Sequence, residues 1–160
     1  MKSATTRLVV NSSERRGATL VETAVTLPVF FLFVFGLLEF GHAFMVINSI
    51  NAAATKAARL GISEGITTAD VEARLDELLG ASIDMTHATV YVKDASVFDS
   101  GGVDPTSINY ATLPAIEVGD AEPRQLFVVR AEVPYEDVAI MPPFWVTNIT
   151  LSGQSVMRHE

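Results

Sequence analysis

Arg15, Arg16, Gly17 and Glu22 stand in the order RRGATLVE, immediately ahead of a long apolar run. Two cations, a glycine and one carboxylate at this spacing suggest proteolysis coupled to charge pairing. An ordinary secretory signal places its apolar segment before the cut and discards it. Here the cut suggested by the residues falls before the apolar segment, so the hydrophobic helix stays on the mature chain. Cleavage after Gly17 makes Ala18 a free N-terminus and puts an α-amine one helical turn from Glu22. A carboxylate in hydrocarbon costs several kcal/mol without a partner. The amine of a neighbouring subunit, or the chain's own, would supply one.

The element that positions these groups is the apolar segment. Thr23 to Leu38, TAVTLPVFFLFVFGLL, is free of charged residues. As a helix it covers roughly 24 Å, short of a ~30 Å hydrocarbon core. Apolar character resumes past Glu39 as FGHAFMVI, so the expected span is about 23–47. Lys2, Arg7, Arg15 and Arg16 precede it, while Lys56 and Arg59 follow at a distance. The positive-inside rule then places the N-terminus in the cytoplasm and the C-terminal portion outside, as for a single-pass bacterial inner-membrane protein. Pro28 removes one helical hydrogen bond and predicts a kink between Ala24 and Pro28. INAAATKAARLG continues the helix, with Gly61 as a C-terminal cap. The expected organisation is a cationic leader over 1–17, a long helix over 18–60 and an external head over 61–160.

Glu39 and His42, three apart, share a helix face. They read either as an intersubunit or water-facing pair, or simply as the place where lipid ends.

The RRGATLVE stretch resembles the prepilin cleavage signal of type IV pilins, with Gly in the last leader position and Glu fifth in the mature chain. The continuation LPVFFLFVFGLLEFGHAFMVINSINAAATKAARLG is similar to the TadE-like pseudopilins of tight-adherence (Flp-type) pilus systems. It shares with them a Glu-aromatic-Gly motif and an alanine-rich exit ending in Arg-x-Gly, and the closing SVMRHE also looks like that family. The resemblance implies cleavage between Gly17 and Ala18 by a prepilin peptidase that recognises Arg15, Arg16 and Glu22. It also implies assembly through Glu22, with Glu39 and His42 as further contacts. Thr23 stands where major Flp pilins carry Tyr, and the chain is longer than they are, which favours a minor subunit. The implied partners are the peptidase, other pilins or pseudopilins, the pilus assembly machinery and membrane lipid.

The remainder reads as a small α+β unit. Thr67 or Thr68 caps a helix through Leu79 with Val71, Leu75, Leu78 and Leu79 on one stripe. HATVYVK (87–93), QLFVVRAEVPY (125–135) and NITLSGQSVMR (148–158) alternate as strands. Val90 and Val92 share one side of the first; Phe127, Val129, Ala131 and Val133 share a face of the second; Ile149 and Leu151 share a face of the third. The expected fold is a long N-terminal helix with a pilin-like head of one short helix and about three antiparallel strands. Asp94 to Arg124 forms a long acidic loop whose spacing does not match an EF-hand. Trp145, after Pro142, Pro143 and Phe144, is expected in the core.

Composition narrows function further. Residues 18–160 carry a net charge of −11 against +3 for residues 1–17, which argues against nucleic-acid binding. There is no cysteine, so thiolate chemistry is excluded. His42, His87 and His159 lack metal-ligand spacing, and no catalytic motif stands out. Neither an enzymatic activity, a metal nor a cofactor is expected. The expected role is that of a minor pseudopilin in pilus assembly and cell adhesion. The alternative is a signal-anchored envelope protein whose external domain binds a ligand or partner.

Overall fold

A single apolar helix does two different jobs along its length, and the fold is built on the second. The computed structural model describes residues 12–81 and 83–160, with side chains from Gly17 onward. Helix α1 runs Ser12–Leu60 and continues through Pro28. The chain divides into two compact units between Leu38 and Glu39, inside this helix.

In the unit before Glu39, nearly every side chain from Gly17 to Leu38 is exposed, including Leu20, Val25, Phe30, Phe33 and Leu37. Rings are in contact along this stretch: the centroids of Phe30 and Phe31 lie 5.8 Å apart, and those of Phe31 and Phe35 6.2 Å apart. A helix that is apolar all round and not covered by protein suits lipid.

In the second unit α1 becomes one-sided. Ala43, Val46, Ile50, Ala53, Ala54, Ala57 and Ala58 are buried, at the three- and four-residue spacing of one helix face. They join Val71, Leu75 and Leu79 of α2 (Thr68–Gly80) and the inner face of a three-stranded antiparallel sheet in one core. The strands are β1 (Thr89–Asp94), β2 (Leu126–Pro134) and β3 (Thr150–Arg158), in the order β1-β2-β3. The expected α+β class, long helix and three strands are all present. A short α3, Tyr135–Val138, follows β2.

Two glycines show how tightly this core is drawn. A Cβ on Gly153 of β3 would lie 2.7 Å from the backbone nitrogen of Asn51. The strand therefore lies directly on the helix backbone, and Gln154 N–H donates to Asn51 Oδ1 at 3.1 Å. At Gly61 a Cβ would meet Val71 at 3.0 Å and the Phe127 ring at 3.2 Å. Gly61 is not among the residues with positive φ, so its smallness serves packing rather than a left-handed cap.

The central strand is buried on both sides. Phe127, Val129, Ala131 and Val133 face α1 and α2, as their alternation predicts. Leu126 and Val128 point the other way, onto Ala95 and Tyr110. Arg130 lies on that second face, its guanidinium carbon 4.3 Å from the centre of the Tyr110 ring, and its Nε donates to Glu132 at 2.6 Å.

Three local expectations change. The first strand starts at Thr89 because Met85–His87 is a 3-10 turn, capped at its start by Asp84 accepting from Thr86 N–H. Ile149 is 46% exposed and precedes β3. Its neighbour Asn148 has φ of 54°, which breaks the extended run, so Ile149 does not share Leu151's face. Trp145 is only half-buried and lies against Phe144 with centroids 4.7 Å apart; Val146 takes the core position instead.

The cap of α2 is complete. Thr67 and Asp70 satisfy each other's backbone N–H, a capping box. The Thr67 hydroxyl, and then its N–H, hold the Asp70 carboxyl below the usual range. The acidic loop uses its acids in the same way. Asp94 accepts from Ser96 N–H, Asp104 from Thr106 N–H, and Glu117 from the N–H groups of Thr68 and Gly119. These bonds fold the loop into short turns and tie it to the start of α2.

Candidate assembly site

Each end of the exposed apolar stretch carries one carboxylate, and their surroundings differ. At the first end, residues before Ser12 and the side chains of Arg15 and Arg16 lie outside the described residues, so the leader and its cations have no structural account. Gly17 and Ala18 are exposed and helical. A Cβ on Gly17 would meet nothing within 4 Å, so the small residue there answers to no packing demand.

Glu22 is exposed on the helix. Among the described residues it has no hydrogen-bond or ion-pair partner. It lies four residues from Ala18, about 6 Å of helical rise. Thr23 spends its hydroxyl on Thr19 O at 2.8 Å, the usual resolution for a hydroxyl in an apolar helix.

Glu39 is the opposite case. It is 3% exposed, and its carboxylate is taken up by consecutive backbone N–H groups of the segment after Pro142-Pro143. Phe144 N–H donates to Oε1 at 3.1 Å, Trp145 N–H to both oxygens at 3.1 and 3.2 Å, and Val146 N–H to Oε1 at 2.7 Å. Successive N–H groups converging on one anion form a concave nest. All of these partners are donors, which suits the ionised, acceptor-only carboxylate.

A second pair of contacts closes the same corner. Tyr135 O–H donates to the Glu39 carbonyl at 3.1 Å. His42 Nδ1 lies 3.4 Å from Tyr135 Oη. The phenol's one proton is already committed, so His42 serves there as the N–H donor. Burial, and secondarily the charge of Glu39, hold the Tyr135 hydroxyl above its usual pKa.

Glu39 and His42 thus do share a face, and the structure brings them to Tyr135 and to the 144–146 backbone of their own chain. Glu22 is brought to neither. Sequence reasoning did not find Tyr135 or the three N–H donors. Two signals were available: Pro142-Pro143, which has no N–H to offer and forces a turn, and a buried-type tyrosine closing the strongest strand.

Residues 17–59 match the family described as TadE-like protein. That stretch is TadE-like. The match begins on Gly17 and ends on Arg59, so it covers the apolar helix and its alanine-rich exit, and the head lies beyond it. No curated protein and no solved structure gave a match. Together with the one helix among the described residues that is long and apolar enough to cross a membrane, Gly17–Leu60, the TadE-like segment points to a membrane-anchored protein.

Proposed function

We propose that this TadE-like protein is a minor pseudopilin of a tight-adherence pilus, inserted in the inner membrane with its N-terminus inside. A prepilin peptidase cuts it between Gly17 and Ala18. The new amine of Ala18, on one subunit or its neighbour, then pairs with Glu22 as the helix enters an assembly. Its role is structural, without a reaction of its own, and its adhesive contribution follows from incorporation.

The observation that carries this reading is the state of Glu22. It is an exposed carboxylate without a partner among the described residues, and from Gly17 to Leu38 it is the one charged side chain on the helix. Such an acid is costly in lipid and becomes favourable only when another molecule or a new terminus supplies charge. The family match begins at the residue whose carbonyl carbon the cut would release.

Mass spectrometry of membrane-extracted protein tests the cut. A mature N-terminus at Ala18 is expected, and an intact leader in peptidase-competent cells would sink the proposal in favour of a signal-anchored envelope protein. Gly17→Ala should block processing without disturbing the fold, since the added methyl has open space. A reporter active only outside the cytoplasm, fused after Glu160, should be active; silence would reverse the orientation.

A further inference from the structure

The segment that clasps Glu39 is apolar and exposed on its far side. Ile140 is 74% and Phe144 72% exposed, and Trp145 beside them is half-buried. From Val138 to Met157 there is no Asp, Glu, Lys or Arg. Exposed aromatic and aliphatic side chains next to a charge-free stretch mark an interaction surface.

The depth of this surface follows from the helix beside it. The uncharged run from Thr23 to Leu38 supplies roughly 24 Å of helix, against a ~30 Å hydrocarbon core, so further apolar helix is needed to complete a span. The exposed face of α1 remains apolar past Glu39, through Phe40, Phe44 and Met45, and turns polar only at Asn48. The clasping segment is bonded to Glu39, about two and a half turns before that change. Its level on the helix is therefore still a level at which the helix itself is dressed for lipid.

Backbone at that depth must have its polar groups satisfied without water. The N–H groups of Phe144, Trp145 and Val146 all go to Glu39, and Pro142 and Pro143 have none. The same bonds supply what a carboxylate near hydrocarbon needs. Trp and other aromatics are also the residues favoured at a membrane interface.

We propose that Ile140, Phe144 and Trp145 form a lipid-contacting rim, by which the head enters the interfacial layer of the phospholipid leaflet beside Glu39. The partner is the glycerol and upper acyl region of the bilayer rather than its headgroup charge, because the rim carries no basic residue. The inference rests on the membrane-anchored reading. Its consequence is that the head is held against the membrane by two attachments, the helix and the rim.

Trp145 is the only tryptophan, so its emission reports the rim directly. The full chain is reconstituted in phosphatidylcholine vesicles, with and without brominated acyl chains. Blue-shifted emission, quenched by the brominated lipid and shielded from aqueous acrylamide, is expected, and it should persist as protein is diluted in lipid. Quenching by acrylamide but not by brominated lipid would overturn the rim. Shielding that disappears on dilution would also overturn it, by assigning the surface to a second copy. Phe144→Asp with Ile140→Asp should lose the brominated-lipid quenching; if that variant misfolds, the wild-type measurement decides alone. Carbonate washing separates the two levels of failure. Protein released by carbonate sinks the membrane-anchored reading along with the rim, whereas retained protein with a water-exposed Trp145 sinks the rim only.

Discussion

Glu22 and Glu39 are the two acids of α1 from Gly17 onward, and their surroundings could hardly differ more. Glu22 is exposed and has no partner among the described residues, while Glu39 is buried and receives N–H groups from three successive residues. The same side chain on the same helix thus has two physical roles. One carboxylate is satisfied inside the monomer and organises its fold. The other, in the proposed reading, is left for something outside it. An acid already holding several charge-assisted hydrogen bonds has little to offer a neighbouring subunit. An unpaired acid in an apolar surface gains most from one.

The sharpest break of this comparison is to remove each acid in turn. Glu39→Ala leaves the N–H donors of 144–146 unsatisfied in a buried corner, the costly case for a lost partner. It should give the largest fall in thermal midpoint of any substitution considered, with rapid amide exchange at 144–146. An unchanged midpoint would refute the clasp. Glu22→Ala should leave the thermal midpoint of the detergent-solubilised chain unchanged, and abolish or strongly reduce its recovery in assembled complexes. If Glu22→Ala assembles normally, the division of labour between the acids is wrong.

Smaller changes sharpen the contrast. Tyr135→Phe removes the bond to the Glu39 carbonyl and the partner of His42, and should cost about 1 kcal/mol in chemical denaturation. The wild-type phenol also predicts a direction with pH. Its pKa is raised in the folded state, so its contribution is complete below about 10, the unfolded value, and is lost as pH rises through the folded pKa. Comparison of wild type and Tyr135→Phe across alkaline pH should show a falling difference. Thr67→Ala, remote from both acids, should cost about 1 kcal/mol through the lost cap and leave processing, assembly and Trp145 emission as they were.

Much of this molecule was legible from spacing. The apolar run, the alanine-rich exit, the Thr67 cap and the alternation of β2 each follow from local periodicity, which depends only on neighbours in sequence. Trp145 and Ile149 were less legible for a physical reason. Alternation and hydrophobicity say that a residue suits burial, but the core had room for Val146 and Leu151, and the left-handed Asn148 interrupted the strand. Gly153 gave a signal that only packing explains: a glycine within a strand marks a close backbone approach, here that of Asn51 on α1.

The candidate site divides along the same line. RRGATLVE carries the proposed leader and cut and an acid without a local partner, because that reading needs only charge order and distance along one helix. The partner of Glu39 lies 105 to 107 residues away, in a segment whose contribution is backbone N–H, a group every residue but proline carries. No residue type in the sequence advertises that contact. By itself the sequence determined where a helix long and apolar enough to cross a membrane lies, and on which side of it the proposed cut falls. Only the tertiary structure decided which acid was already spoken for, because folding alone brings a distant backbone to the side chain it satisfies.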